Sequence, residues 1–136
     1  MNPLSAATHP RIFKVLFLGY SIGFLVGTYT HAAGLAQHGW LAYPVPLAIG
    51  IYWDALTLLD PLTVGLLWWQ PKAGLRLALA IMASDISLNT YVYLAGYLGP
   101  PVPNMVPLTL FDQTLFGLFL FVTAPLAYQL LQKKPG

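Results

Sequence analysis

The chain contains four acidic residues, and all of them are aspartates within apolar stretches: Asp54, Asp60, Asp85 and Asp112. In a membrane-spanning stretch an ionisable side chain costs about 3 kcal/mol at the bilayer centre, so it normally faces a bundle interior or a watery cavity. No Lys or Arg lies deep enough in these stretches to neutralise the acids. Each aspartate must then be protonated, share a proton, contact water or bind an external cation. This charge imbalance is the strongest indication of function in the sequence.

Helical spacing predicts that several polar side chains meet between the spans. Asn89 follows Asp85 by one helical turn and lies on the same face. Counting about 1.5 Å per residue from the predicted outer boundary places Asp112 about 9 Å deep, Asp54 about 16 Å, Asp85 about 20 Å and Asp60 about 26 Å. Asp54, Asp85 and Asn89 are therefore expected to converge near mid-membrane, in a cavity open to the outside. The further ligand-binding residues that we predict around this centre are Trp53, Asp60, Asp112, Gln113 and His31.

This residue set suits more than one function. An aromatic ring beside a buried acid, as in Trp53-Asp54, favours a lipophilic or cationic small molecule as the ligand. In an enzyme, Asp85 would donate a proton, Asn89 would orient it and Asp54 would stabilise positive charge, as in a double-bond shift or a cyclisation. The alternatives are a proton- or cation-coupled transporter working as a dimer, and an accessory subunit of a membrane complex. The structural alternative for Asp85 and Asn89 is an interhelical hydrogen-bond clamp.

Two of the aspartates also have local structural explanations. A proline follows Asp60 and frees the carbonyl group of Thr57, so Asp60, Thr57 and Thr63 are expected to satisfy this kink with hydrogen bonds. Thr109 and Asp112 have the spacing of a capping box, with Thr109 as the N-cap residue and Asp112 at the third helical position. A carboxylate there also suits the positive end of the helix dipole.

The residue types predict neither a cofactor nor a metal. The chain has no cysteine, which excludes thiolate sites and disulfides. No histidine lies deep in a span to ligate haem, and His31 and His38 lack the four-residue spacing of a helical metal pair. The glycine-rich phosphate loop that ends in Gly-Lys-Ser/Thr is absent. The net charge of +2 is explained by where the cations lie, so we expect no nucleic-acid partner.

The elements that position these residues are four predicted transmembrane helices. Apolar residues make up 57% of the chain and charged residues 7%, against roughly 25% charged in a soluble domain. Four apolar stretches reach the length of about 20 residues that a bilayer requires. They run over residues 12–33, 43–69, 73–98 and 106–131 and are separated by Gly- and Pro-rich breaks. We predict an all-α, integral membrane four-helix bundle that forms one domain over residues 1–136.

The cations predict the orientation of this bundle. All six flank the same ends of the predicted spans: Arg11, Lys14, Lys72, Arg76, Lys133 and Lys134. Neither opposite loop carries a Lys or Arg. Because positive residues stay on the cytoplasmic side, we predict that both termini are cytoplasmic, in a plasma or inner membrane.

The first span carries glycines at four-residue spacing: Gly19, Gly23 and Gly27. Small residues at this spacing let two helices approach closely within a membrane. Packing within one chain is the favoured interpretation, and a homodimer through the same glycines is the alternative.

Overall fold

The computed structural model describes residues 3–101 and 107–133, and the described part of the chain forms four α-helices and no β-strand. The helices are α1 (Pro3–His38), α2 (Leu47–Trp69), α3 (Pro71–Leu94) and α4 (Leu108–Gln132). The prediction of an all-α fold with four helices is therefore confirmed for these residues. All four helices are long and apolar enough to cross a membrane, over 28, 23, 24 and 24 residues respectively.

Prolines determine where two of the helices begin. Pro46 and Pro107 precede α2 and α4 with extended backbone angles, at φ −51° and ψ 137° and at φ −53° and ψ 137°. The ring of each proline holds φ near this value. As a result, α2 begins four residues later than the predicted span. The predicted start of the fourth span, Val106, lies outside the described residues.

The capping box predicted at Thr109 is wrong. Pro107 is the N-cap residue of α4, and no side chain caps the helix. Thr109 is itself helical and therefore cannot act as the N-cap. Asp112 consequently lies beyond the first turn of the helix and is exposed.

A glycine ends α3 four residues before the predicted boundary. Gly96 has φ +74°, the left-handed conformation that glycine adopts without strain. The N–H of Tyr97 donates to the carbonyl of Val92 at 3.3 Å, and the N–H of Gly96 donates to the carbonyl of Tyr93 at 3.1 Å. These two bonds form a Schellman motif, which satisfies the last carbonyls of the helix.

The four helices form a closed antiparallel ring in chain order. Each neighbouring pair is joined by a side-chain hydrogen bond: Trp68 to Ser21 at 2.9 Å, Tyr52 with Ser84 at 2.8 Å, Asn89 to Gln113 at 2.8 Å, and Tyr20 with Thr123 at 2.6 Å. Between described residues, diagonally opposite helices make no close backbone contact. This ring has two ends, which we call the hairpin end, containing Gln70, and the loop end, containing residues 39–46 and 95–101.

The apolar core fills the half of the bundle nearer the hairpin end. Its completely buried side chains are Phe17, Tyr20, Leu56, Leu67, Leu75 and Leu120. Gly74 makes the tight connection between α2 and α3 possible, because a Cβ atom there would collide with the backbone of Leu67. Close packing in this half of the bundle leaves the other half, nearer the loop end, for the polar residues.

Candidate functional site

A cavity of about 770 Å³ lies between the four helices in the half of the bundle nearer the loop end. Residues from all four helices line it, and its lining reaches Tyr43 in one connection and Gly99 in the other. All of the site residues predicted from the sequence contribute to its wall: Asp54, Asp85, Asn89, Trp53, Asp60, Asp112, Gln113 and His31. The fold therefore brings the whole predicted set to one cavity, although in different roles.

The carboxyl group of Asp85 lies in a network of side-chain amides. Asn89 donates from Nδ2 to Asp85 Oδ1 at 3.3 Å, and Gln113 of α4 donates from Nε2 to Asp85 Oδ2. Asn89 Nδ2 also donates to Gln113 Oε1 at 2.8 Å. The indole of Trp53 donates from Nε1 to Asn89 Oδ1 at 2.8 Å, so the network joins α2, α3 and α4.

This network has two consequences for Asp85. Its side chain is 5% exposed, and each carboxylate oxygen already accepts a hydrogen bond from an amide. A buried carboxyl group whose oxygens are hydrogen-bonded in this way stabilises the packing of its helices. It also has fewer acceptor positions free to bind a ligand. The geometry therefore includes the interhelical clamp that the sequence allowed as the structural alternative for Asp85 and Asn89.

Asp60 is in the opposite situation. Its side chain is 4% exposed and borders the cavity, with an oxygen directed at Gly27 of α1. No hydrogen-bond donor contacts its carboxyl group among residues 3–101 and 107–133. The carboxyl group of Asp85 acts on it electrostatically. Two acids thus share one low-dielectric space, and the five Lys and Arg residues that the structure describes lie outside the wall of the cavity.

The hydrogen bonds expected around the proline kink are not formed. Thr63 donates to the carbonyl of Leu59 at 2.8 Å rather than to the freed carbonyl of Thr57. The hydroxyl of Thr57 is buried without a hydrogen-bond partner in the described structure, and Asp60 contributes no bond to the kink. The expectation that Asp60, Thr57 and Thr63 satisfy the kink is therefore wrong, and Asp60 has no structural partner that explains it.

Asp54 is held at the mouth of the cavity and not at its centre. The backbone N–H of Leu41 donates to Asp54 Oδ2 at 2.8 Å, which ties residues 39–46 to α2. Leu41 has φ +52°, an unusual conformation for a side chain of this size. Asp54 lies about 10 Å from the start of α2, which begins at Leu47. Asp54, Asp85 and Asn89 all line the cavity, but no hydrogen bond within the described structure joins Asp54 to either of the other two.

The mouth of the cavity carries two further predicted residues. His31 of α1 is partly buried and interacts electrostatically with Asp54. Asp112 is exposed on α4 at the rim. In the described residues no three His, Cys, Asp or Glu side chains form a group that could hold a metal ion.

Several residues of the site were not singled out by sequence reasoning. Phe24 and Phe116 pack edge to face, with ring centroids 5.6 Å apart, and form an apolar wall. Tyr43 packs edge to face on Trp53, with centroids 5.5 Å apart. In the sequence these aromatic residues resemble ordinary membrane-facing residues, because helical spacing within a uniformly apolar span does not show which face points inward.

No protein-family model, curated protein or solved structure matches this chain.

Proposed function

We propose that this chain is a four-span integral membrane protein with both termini in the cytoplasm, and that its cavity binds a lipophilic small molecule that carries a positive charge. Asp60 supplies the counter-charge. The observation that carries the proposal is the carboxyl group of Asp60, which is nearly inaccessible, borders the cavity and has no hydrogen-bond donor within the described structure.

The positive charge of the ligand follows from the charges of the chain itself. An unpaired buried carboxylate is costly. Removing the partner of a buried charge destabilises a protein by about 3–5 kcal/mol. All four acids of the chain line the cavity, whereas no Lys or Arg among the described residues belongs to its wall. A cation from outside restores the balance without any change in the fold.

The lipophilic character of the ligand follows from the rest of the wall. A volume of about 770 Å³ suits a small organic molecule, because such sites commonly span about 300–1,000 Å³. Phe24, Phe116 and Trp53 supply aromatic surface, on which a cation is further stabilised by its attraction to the ring face. The amide network of Asp85, which includes the indole N–H of Trp53, adds polar groups to this wall.

The positions of the cations support the orientation. Lys72, Arg76 and Lys133 lie at the hairpin end, together with the start of α1 and the end of α4. With the hairpin end in the cytoplasm, the mouth of the cavity opens towards the outer face. The ligand then reaches Asp60 from outside the cell or from the outer leaflet.

The test is binding of a permanent hydrophobic cation, radiolabelled tetraphenylphosphonium, to the purified chain in lipid nanodiscs. Wild type should bind the cation and discriminate against the neutral triphenylphosphine oxide. Asp60→Asn should weaken binding at least tenfold, which corresponds to about 1.4 kcal/mol. Asp112→Asn is the matched control, because Asp112 lines the same cavity but is exposed, and its affinity should stay within about twofold of wild type. Equal affinity of wild type and Asp60→Asn would overturn the proposal.

A second candidate is proton- or cation-coupled transport, in which the carboxyl group of Asp60 exchanges a proton for a cation. It is favoured by Pro61, which follows Asp60 inside α2 and leaves the carbonyl of Thr57 without its helical N–H. In transporters, backbone carbonyls that are freed from helical hydrogen bonding coordinate coupling ions. Uptake of the cation into proteoliposomes, abolished by a protonophore and by Asp60→Asn, would favour transport over binding alone.

A further inference from the structure

A second concave surface lies on the outside of the bundle, in the half nearer the hairpin end. It is a groove of about 450 Å³ between α3 and α4, walled mainly by apolar side chains: Leu75, Leu79, Phe121, Ala124, Pro125, Tyr128 and Gln129. We call it the α3–α4 groove. Phe121 and Tyr128 lie seven residues apart, which makes the groove about 10 Å long. It faces away from the aspartate cavity and shares no lining residue with it.

Cations lie at the hairpin end of this groove. Arg76 donates from Nη2 to the hydroxyl of Tyr128 at 3.3 Å. Lys72, one helical turn earlier on α3, also interacts electrostatically with Tyr128. Both cationic side chains are exposed. All four acids of the chain line the other cavity, so within the described residues Arg76 has no carboxylate partner.

We propose that the α3–α4 groove binds one anionic phospholipid, with an acyl chain along the groove and the phosphate against Arg76, Tyr128 and Lys72. The groove and its cations are complementary to both ends of such a lipid. Within the bilayer, the groove offers an apolar surface to an acyl chain. At the interface, the guanidinium of Arg76, the ammonium of Lys72 and the hydroxyl of Tyr128 contact the phosphate. Guanidinium groups bind phosphate oxygens with strong charge-assisted hydrogen bonds. Basic pockets between helices on the cytoplasmic side are typical sites for anionic lipids.

This inference depends on membrane insertion and not on the proposed ligand of Asp60. In the predicted orientation the hairpin end lies at the cytoplasmic leaflet, where anionic lipids are concentrated. Arg76 is also better suited than a surface lysine, because its planar group matches a phosphate bidentately.

Native mass spectrometry of the purified chain tests the proposal. The protein is supplied with an equimolar mixture of phosphatidylglycerol and phosphatidylcholine that have the same acyl chains, and the lipids retained are counted. Wild type should retain one phosphatidylglycerol in preference to phosphatidylcholine. Arg76→Gln should lower this preference about fivefold, which is the effect of one cation near the surface. Adding Lys72→Gln to this variant should lower the preference further. Arg11→Gln is the matched control, since Arg11 is an exposed cation on α1, outside the groove.

Three outcomes would overturn the lipid site. In one, Arg76→Gln retains phosphatidylglycerol as well as wild type does. In another, Arg11→Gln lowers the preference as much as Arg76→Gln, which means that only the general surface charge attracts the lipid. In the third, glycerol 3-phosphate displaces the lipid at millimolar concentration, which means that the groove contributes nothing to binding. Asp60→Asn should leave the preference unchanged, so failure of this site is distinguishable from failure of the cation site.

Discussion

Gly27 of α1 lies directly against the carboxyl group of Asp60 in α2: a Cβ atom on residue 27 would lie 2.5 Å from Asp60 Oδ2. The glycine ridge of α1 thus faces its own chain, since a Cβ atom on Gly23 would collide with Phe116 and one on Gly19 would lie 3.2 Å from Phe119. The close approach of α1 helps to seal Asp60 from the surroundings of the bundle. A homodimer through these glycines stays a prediction.

Gly27→Ala should therefore damage the site of Asp60 selectively. The added methyl group forces the carboxylate or α1 to move, an overpacking that typically costs about 1–3 kcal/mol. Affinity for tetraphenylphosphonium should fall together with thermal stability. Gly65→Ala in α2 is the matched control, because a Cβ atom there meets no atom within 4 Å. It should preserve binding and gain up to about 1 kcal/mol from helix propensity. Unchanged binding by Gly27→Ala would show that residue 27 does not position Asp60.

Gln113→Leu should destabilise the bundle by removing a donor from Asp85. A buried acceptor that loses its partner costs about 1–3 kcal/mol, more when it is charged. The measurement is the midpoint of thermal unfolding in a fixed detergent. Gln129→Leu makes the same change on the same helix, at an exposed residue whose side chain forms no hydrogen bond in the described structure. It should change stability by less than about 0.5 kcal/mol. Equal midpoints for the two variants would mean that the network does not stabilise the fold.

The sequence predicted the four helices because their signal is strong and local. Long apolar runs and proline or glycine breaks indicate span number without any knowledge of packing. The boundaries were less accurate, because hydropathy does not detect that Pro46 delays α2 or that Gly96 ends α3. Both positions follow from backbone conformation, which a hydropathy average does not register.

That these residues line one cavity was easier to predict than the contacts each of them makes there. Polar residues in apolar spans converge because a bilayer offers them no other partners, so all eight predicted residues line one cavity. Roles depend on rotation about each helix and on hydrogen bonds between helices. Asp85 was the natural choice as the reactive acid from its central position, yet Asn89 and Gln113 donate to its oxygens, whereas Asp60 has no hydrogen-bond donor among the described residues. Residue spacing within one helix cannot predict this difference between Asp85 and Asp60, because it depends on contacts between helices.

Asp54→Ala should loosen the loop at the mouth of the cavity. The variant removes the acceptor of the Leu41 N–H, which holds a residue with positive φ in place. The amide of Leu41 should exchange with deuterium faster by at least tenfold, as local opening becomes about 1.4 kcal/mol easier. Asp112→Ala, at the exposed rim, should leave this exchange unchanged. If Leu41 is equally protected in both variants, Asp54 does not anchor the loop.

The predicted orientation can be tested directly because the chain has no cysteine of its own. Gln37→Cys places a single thiol near the loop end, and Gln70→Cys places one in the connection at the hairpin end, both at exposed positions. In intact cells a membrane-impermeant maleimide should label Gln37→Cys, whereas Gln70→Cys should react only after the membrane is permeabilised. This pattern follows if the six Lys and Arg residues hold the hairpin end in the cytoplasm. The reverse pattern would place the mouth of the cavity in the cytoplasm, and Asp60 would then receive its ligand from inside the cell.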